Sequence, residues 1–123
     1  GTRECILRVS AAGELTHVAG AMGSDASPEG IPALNAVIGD GPYLEVLSTG
    51  EVVVAEPVYD RIRVIGLDGM IRTIAGAYNM PGDMGDGGPA SAGRVRDPSW
   101  VSAYGADHIA FWQAGDRAIR AIW

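Results

Sequence analysis

The sequence has no lysine, a single cysteine, a single phenylalanine and no apolar run longer than a few residues. Each scarcity removes a class of protein. With Cys5 alone, no intrachain disulfide can form, and the redox compartment stays open. Without long apolar runs there is no transmembrane helix, and Gly1-Thr2-Arg3-Glu4 is no secretory leader; a mature chain and an excised piece would both begin this way. The basic residues are nine arginines, scattered along the chain and outnumbered by fifteen acids for a net charge of −6. A phosphate-tracking surface needs a basic stripe, so nucleic acid is excluded as a partner. Arginine in place of every lysine, together with abundant alanine and glycine, fits the coding bias of a GC-rich genome better than any chemistry.

Glycine (18), proline (7) and apolar residues (47 %) are plentiful while charged residues make up 20 %, which suits an all-β chain with many turns. Most of the stretch Ile62–Gly76, IRVIGLDGMIRTIAG, is found again at Ile6–Gly20, ILRVSAAGELTHVAG, at an offset of 56. Gly69 answers Gly13, and Ala75-Gly76 answers Ala19-Gly20. A third copy starts near the C-terminus, where Asp116-Arg117 and Ile119-Arg120 repeat Asp60-Arg61 and Ile62-Arg63 after one extra residue. Self-similarity at such a period marks arrays whose units cannot bury their own apolar faces. The 123 residues hold two such periods and no second domain.

Along the chain, 4–10 and 14–20 form a predicted β-hairpin turning at Gly13, and 21–42 is a long loop broken by Gly, Pro, Ser and Asp, with one helical turn at 32–38. Strands follow at 43–48, 51–56, 60–66 and 70–76, making a four-stranded antiparallel meander over 43–76. Its second strand, EVVVAE, is apolar at four consecutive positions and so is expected to be covered on both faces. A second long loop spans 77–98, and strands at 99–104, 108–113 and 117–123 repeat the first three of the meander. The chain is therefore a half-blade hairpin (1–20), a complete blade (43–76) and an incomplete blade (99–123) of a β-propeller, with blades radial about an axis.

The pattern Arg61-Ile62-Arg63, Asp68-Gly69, IRTIAG (71–76), GDGGPA (85–90) and Pro98 resembles the NHL repeat of large bacterial secreted or cell-surface proteins, over nearly the whole chain. The resemblance implies a six-bladed parent, of which this chain would supply about a third. It also implies an acidic residue at the end of each second strand: Glu56 meets this, whereas Trp112 stands there in the next copy. Open sheets at each end call for partners, either flanking blades of a longer polypeptide or head-to-tail copies closing a ring. The unfinished last blade could take a neighbour's hairpin in a domain-swap geometry. With the acidic, lysine-free composition, the resemblance points to an extracytoplasmic location.

Candidate ligand-binding residues are the aromatics of the last repeat, Trp100, Tyr104, Trp112 and Trp123, which could form a platform for a sugar or peptide or could pack between blades. Candidate cation ligands are Asp83 and Asp86 in GDMGDGG, where calcium is conceivable although their spacing is not that of a known loop site, and Glu45, on the first strand that in a propeller lines the channel. His17, His108 and Cys5 have no partner at a ligand or catalytic spacing and are expected to be ordinary strand residues. No catalytic residue is assigned. The expected function is a non-enzymatic protein- or glycan-interaction scaffold; the alternative is part of a metal-dependent propeller hydrolase or lyase whose catalytic residues lie mainly in other blades.

Overall fold

A computed structural model describes residues 4–23 and 29–122. Among them there is no α-helix, and ten strands form three antiparallel sheets, none closed into a barrel, in a partial β-propeller-like arrangement. The opening hairpin is β1 (Ile6–Val9) with β2 (Leu15–Ala19). The central sheet comprises β3 (Ile31–Pro32), β4 (Tyr43–Val46), β5 (Val52–Glu56), β6 (Arg61–Ile65) and β7 (Met70–Gly76), in the order β3-β7-β6-β5-β4. The last sheet holds β8 (Pro98–Tyr104), β9 (His108–Gln113) and β10 (Ala118–Ile122), with β10 and β8 at its edges. The expected meander is present, with one addition. Ile31–Pro32, expected within a loop, pairs with Ile71 and Met70 as a fifth strand, and a 3-10 turn at Ala33–Asn35 follows Pro32.

The shared glycines of the repeat have a common cause. Gly13 and Gly69 take φ of 83° and 79° at the tips of their hairpins. The same pair of backbone bonds closes each turn, Gly13 N–H to Ser10 and Ser10 N–H to Glu14 in one, Gly69 N–H to Gly66 and Gly66 N–H to Met70 in the other. Gly20 and Gly76 are needed for close approach: a Cβ would lie 2.2 Å from the Glu4 carbonyl oxygen at the first and 2.4 Å from that of Asp60 at the second. Each hairpin also carries a bulge at the same place, leaving Val18 unpaired in β2 and Ile74 in β7.

The central sheet is covered on both sides, as expected for β5, and all five residues of β6 are buried as well. On its front face Val53, Ala55, Ile62 and Val64 join Val101, Ile109 and Phe111 of the last sheet. On its back face Val54, Ile65 and Ile71 join Ile6 and Ala19 of the hairpin and Ala33, Ala36 and Ile38 of the first long loop. Alternation along β5 and β6 produces the two faces, because successive side chains of a strand point to opposite sides. Burying each such side chain is worth about 1.5–3 kcal/mol, so the two seams, not the hydrogen-bond ladder alone, hold the sheets in a stack.

The two kinds of glycine separate in a thermal melt. Gly76→Ala meets Asp60 O at 2.4 Å and Val95 at 2.6 Å as well as adopting positive φ, whereas Gly13→Ala has nothing within 4 Å. Gly13→Ala is expected to cost about 1 kcal/mol, and Gly76→Ala more, about 3 kcal/mol or above. Equal losses would show that backbone conformation alone demands glycine at 76.

Candidate functional site

A polar cluster is buried at the end of β5, where a propeller blade turns into its third strand. Glu56 is fully buried, and it accepts hydrogen bonds from Arg61 Nε (3.2 Å), Arg63 Nε and the backbone N–H of Gly39 (2.9 Å). Arg63 Nη2 in turn donates to the Val37 carbonyl (2.7 Å). The cluster thus ties the far end of the first long loop to the middle of the sheet. Arg61 also lies over Tyr59 and Tyr78, 5.3 Å from each ring centroid. Burial pulls the Arg63 guanidinium below its ordinary range, an effect Glu56 opposes. Burial, with Tyr78 and Glu56 adding to it and Arg61 opposing, pushes the Tyr59 phenol up.

The last sheet repeats this cluster with different chemistry. Gln113, fully buried, accepts from the Arg96 N–H (3.1 Å) and from Arg120 Nη1 (3.2 Å), and Arg120 donates to the carbonyl of Arg94. The separations are the same in both copies: 17 residues from loop amide to acceptor, 7 from acceptor to arginine and 26 from loop carbonyl to arginine. Gln113, not Trp112, is therefore the counterpart of Glu56. Trp100 is an extra residue of β8 taken up as a bulge, with φ of 51°, since Ser99 pairs with Trp112 and Val101 with Phe111. The repeat already runs at 57 instead of 56 in the second long loop, where Arg94 and Arg96 answer Val37 and Gly39, and the left-handed residue after β5, Asp60 (φ 54°), is matched by Arg117 (φ 52°), not by Asp116. Ala118 pairs with Gln113 where Arg61 pairs with Glu56. Two arginines share one carboxylate in one copy; one arginine meets an amide in the other, its charge also facing Asp86 at 2.7 Å.

The candidate binding residues do not form one cluster. Trp100 (72 % exposed) stacks obliquely on Tyr43, centroids 5.5 Å apart, and Tyr104 (81 % exposed) packs edge-on against His108. Positive φ at a residue as bulky as tryptophan is strained by about 1–3 kcal/mol. Trp112 is half-buried on the opposite β9 face from Phe111, next to Ile119 in the β10 register. Trp123 lies outside the described residues. Asp83 is exposed, and Asp86 is engaged by Arg120. Glu45 sits half-buried on the edge strand β4, opposite Val53, and its counterpart by pairing is Ser102. Among the described residues, no three His, Cys, Asp or Glu side chains are grouped to hold a metal ion. His17 Nε2 contacts the Ala19 carbonyl (2.8 Å), His108 Nδ1 contacts Asp107 (2.7 Å), and Cys5 is exposed, just before β1, rather than half-buried in a strand.

Glu56 stands where the resemblance places an acidic residue, whereas Gln113 and the role of Arg63 and Arg120 as partners inside the sheet were not singled out. Their signal is the shared spacing of seven, which becomes visible once the copies are aligned at the offset of 57 that separates Pro89-Ala90 from Pro32-Ala33. No family model, curated protein or solved structure matches the chain. The described residues hold no helix long and apolar enough to cross a membrane.

The contrast between the two clusters has a measurable consequence. Glu56→Gln leaves two buried guanidinium groups facing an amide and is expected to destabilise by about 3–5 kcal/mol. Adding Arg61→Ala re-creates the Gln113–Ala118–Arg120 composition, and the pair is expected to couple favourably by about 1–3 kcal/mol in a denaturation double-mutant cycle. Additive losses would show that Arg61 and Glu56 do not share a charge balance.

Proposed function

We propose that this chain is a segment of an NHL-like β-propeller of six blades, acting outside the bacterial cytoplasm as a non-enzymatic scaffold that engages further blades and presents loop and aromatic surfaces to proteins or glycans. The observation that carries this is the front face of the last sheet. By the pairing of β9 and β10, Trp112 and Ile119 occupy the positions held in the central sheet by Ala55 and Ile62. Those two are fully buried beneath the following sheet, whereas Ile119 is 75 % exposed. At the other end Leu7, Val9 and Leu15 of the hairpin are exposed. Apolar side chains at both ends of a stack of like sheets support association with more sheets of the same kind. Trp100 with Tyr43 at one corner supports a ligand platform of the stacking type.

Light scattering across a concentration series tests this. Head-to-tail association gives a mass of several chains, three for a six-bladed ring, and the double substitution Trp112→Lys with Ile119→Lys is expected to reduce it to one chain with an unchanged circular dichroism spectrum. A single-chain mass at every concentration, or a mass indifferent to the double substitution, would overturn association through this face. Calcium and zinc are expected to leave the melting temperature unchanged. A rise with either ion would mean that the folded state binds it and would favour the metal-dependent hydrolase or lyase reading, with Glu45 as the local contributor.

A further inference from the structure

A cavity of about 370 Å³ lies over β6 and β7 of the central sheet, between the two long loops. That is at the small end of the range for small-ligand sites, about 300–1,000 Å³. Glu29 of the first loop, Arg61 and Thr73 of the sheet, and Tyr78 and Ser91 of the second loop line it. Glu29 is fixed at the β7 edge, its carboxylate accepting from the Thr73 N–H (2.6 Å) and from Thr73 Oγ1 (2.5 Å). Arg61 is fixed from the other side: Nε and Nη2 donate to Glu56, at 3.2 and 3.5 Å, and the guanidinium rests on Tyr59 and Tyr78. Its Nη1 has no hydrogen-bond partner among the described residues, and because none of their buried side-chain polar atoms is left without one, Nη1 is open to solvent.

The repeat separates what the fold needs here from what it does not. Gly76 and Ala77 recur as Gly20 and Ala21, whereas Arg61, Thr73, Tyr78 and Ser91 are answered by Cys5, His17, Met22 and Leu34 at offsets of 56 and 57, and Arg61 by Ala118 in the last sheet. The loop-anchoring bonds of that sheet are complete without a second arginine. The polar lining is therefore particular to this cavity and is not a requirement of the blade. Its charges also cancel: Arg61 and Arg63 stand against Glu56 and Glu29, the last of which supports the charge of Arg63. Such a site gives a free anion or cation no net Coulombic attraction. It offers a donor on one side and a carboxylate acceptor on the other.

We propose that this cavity is a saccharide site, taking one neutral hexopyranose unit of a glycan whose neighbouring hydroxyls bridge Arg61 Nη1 and the Glu29 carboxylate. A hydroxyl is both donor and acceptor, so one of a vicinal pair accepts from the guanidinium while the other donates to the carboxylate. Both bonds are charge-assisted and about twice as strong as neutral ones. Ser91 Oγ supplies a third group of either sense, and Tyr78 an aromatic wall with a polar tip. A hydroxyl also gives up less hydration on entry than an ammonium or carboxylate group does. Because Thr73 and Glu56 already hold the two charged side chains, little further order is imposed when the sugar binds. The inference rests on the scaffold reading and names the ligand class of its glycan branch, with residues other than Trp100 and Tyr43.

The test titrates the full, isotope-labelled chain with the methyl glycosides of glucose, galactose and mannose, each to about 100 mM. At least one is expected to shift the Thr73, Ala77, Tyr78 and Ser91 amides saturably, with Kd about 1–10 mM. Ser91→Leu introduces the residue of the first loop, and Arg61→Ala introduces that of the last sheet while leaving the Glu56–Arg63 pair intact. Each is expected to weaken binding about tenfold, with amide shifts far from the cavity unchanged as evidence of folding. No saturable shift with any of the three glycosides, binding that survives both substitutions, or tighter saturation by glycine or phosphate than by every glycoside would each overturn the proposal. Saturable shifts confined to Trp100 and Tyr43 would also overturn it, yet leave the stacking platform of the scaffold reading standing, and light scattering of the Trp112/Ile119 double substitution bears on association alone.

Discussion

A buried, hydrogen-bonded ion cluster at the end of β5 is the constraint on which the rest of this architecture depends. The long connections are rich in glycine and proline and make few ladder bonds of their own, yet each contributes core residues, Ala33, Ala36 and Ile38 from the first and Val95 from the second. Something has to fix them against the sheet. Glu56 with Arg63, and Gln113 with Arg120, do so by bonding one loop amide and one loop carbonyl from inside the sheet. Taking such groups out of water costs several kcal/mol per ion, which is offset only where nearly every donor and acceptor is engaged. No buried side-chain polar atom among the described residues lacks a partner. The loops are thereby placed with the accuracy of strands.

From that placement follows the layered core. The loop anchored by one cluster lies over the edge of its own sheet and supplies the residues that fill the seam behind it, so each sheet is completed by chain from both sides. Among the described residues only the central sheet has both faces covered, and its β6 is buried throughout. Stability in such an array is a sum over neighbouring units, which is why the two outer sheets, each with one seam, present apolar surface at opposite ends.

The hairpins and the meander were legible because they are written in local terms: β-branched runs, Asp68-Gly69, and glycines where a turn or a close backbone approach leaves no room for a side chain. The fold class followed from the repeat. What was hidden is long-range. Two residues, Ile31 and Pro32, are too short a run to read as a strand, and they pair only because the loop is brought back to β7. Trp112 stands in for Gln113 when an offset of 56 is carried past the second long loop, which has one residue more between Gly76 and Pro89 than the first has between Gly20 and Pro32. The aromatic candidates were legible as residues but not as a group, since Trp100, Tyr104 and Trp112 are near in sequence and fall on different faces and corners of one sheet.

The bulge at Trp100 has a further consequence. It adds a residue to the first strand of a blade whose approach from the loop amide is one residue shorter, Arg96 to Ser99 against Gly39 to Tyr43, so the spacing of the buried cluster is kept and the change in length goes no further. The inner corner of a blade thus behaves as an expansion joint. Bulky or polar side chains can be introduced there, facing outward, at the cost of one strained residue, while the seams that transmit alignment from sheet to sheet keep their original gauge. Local variety and global regularity are therefore decoupled along the length of each blade.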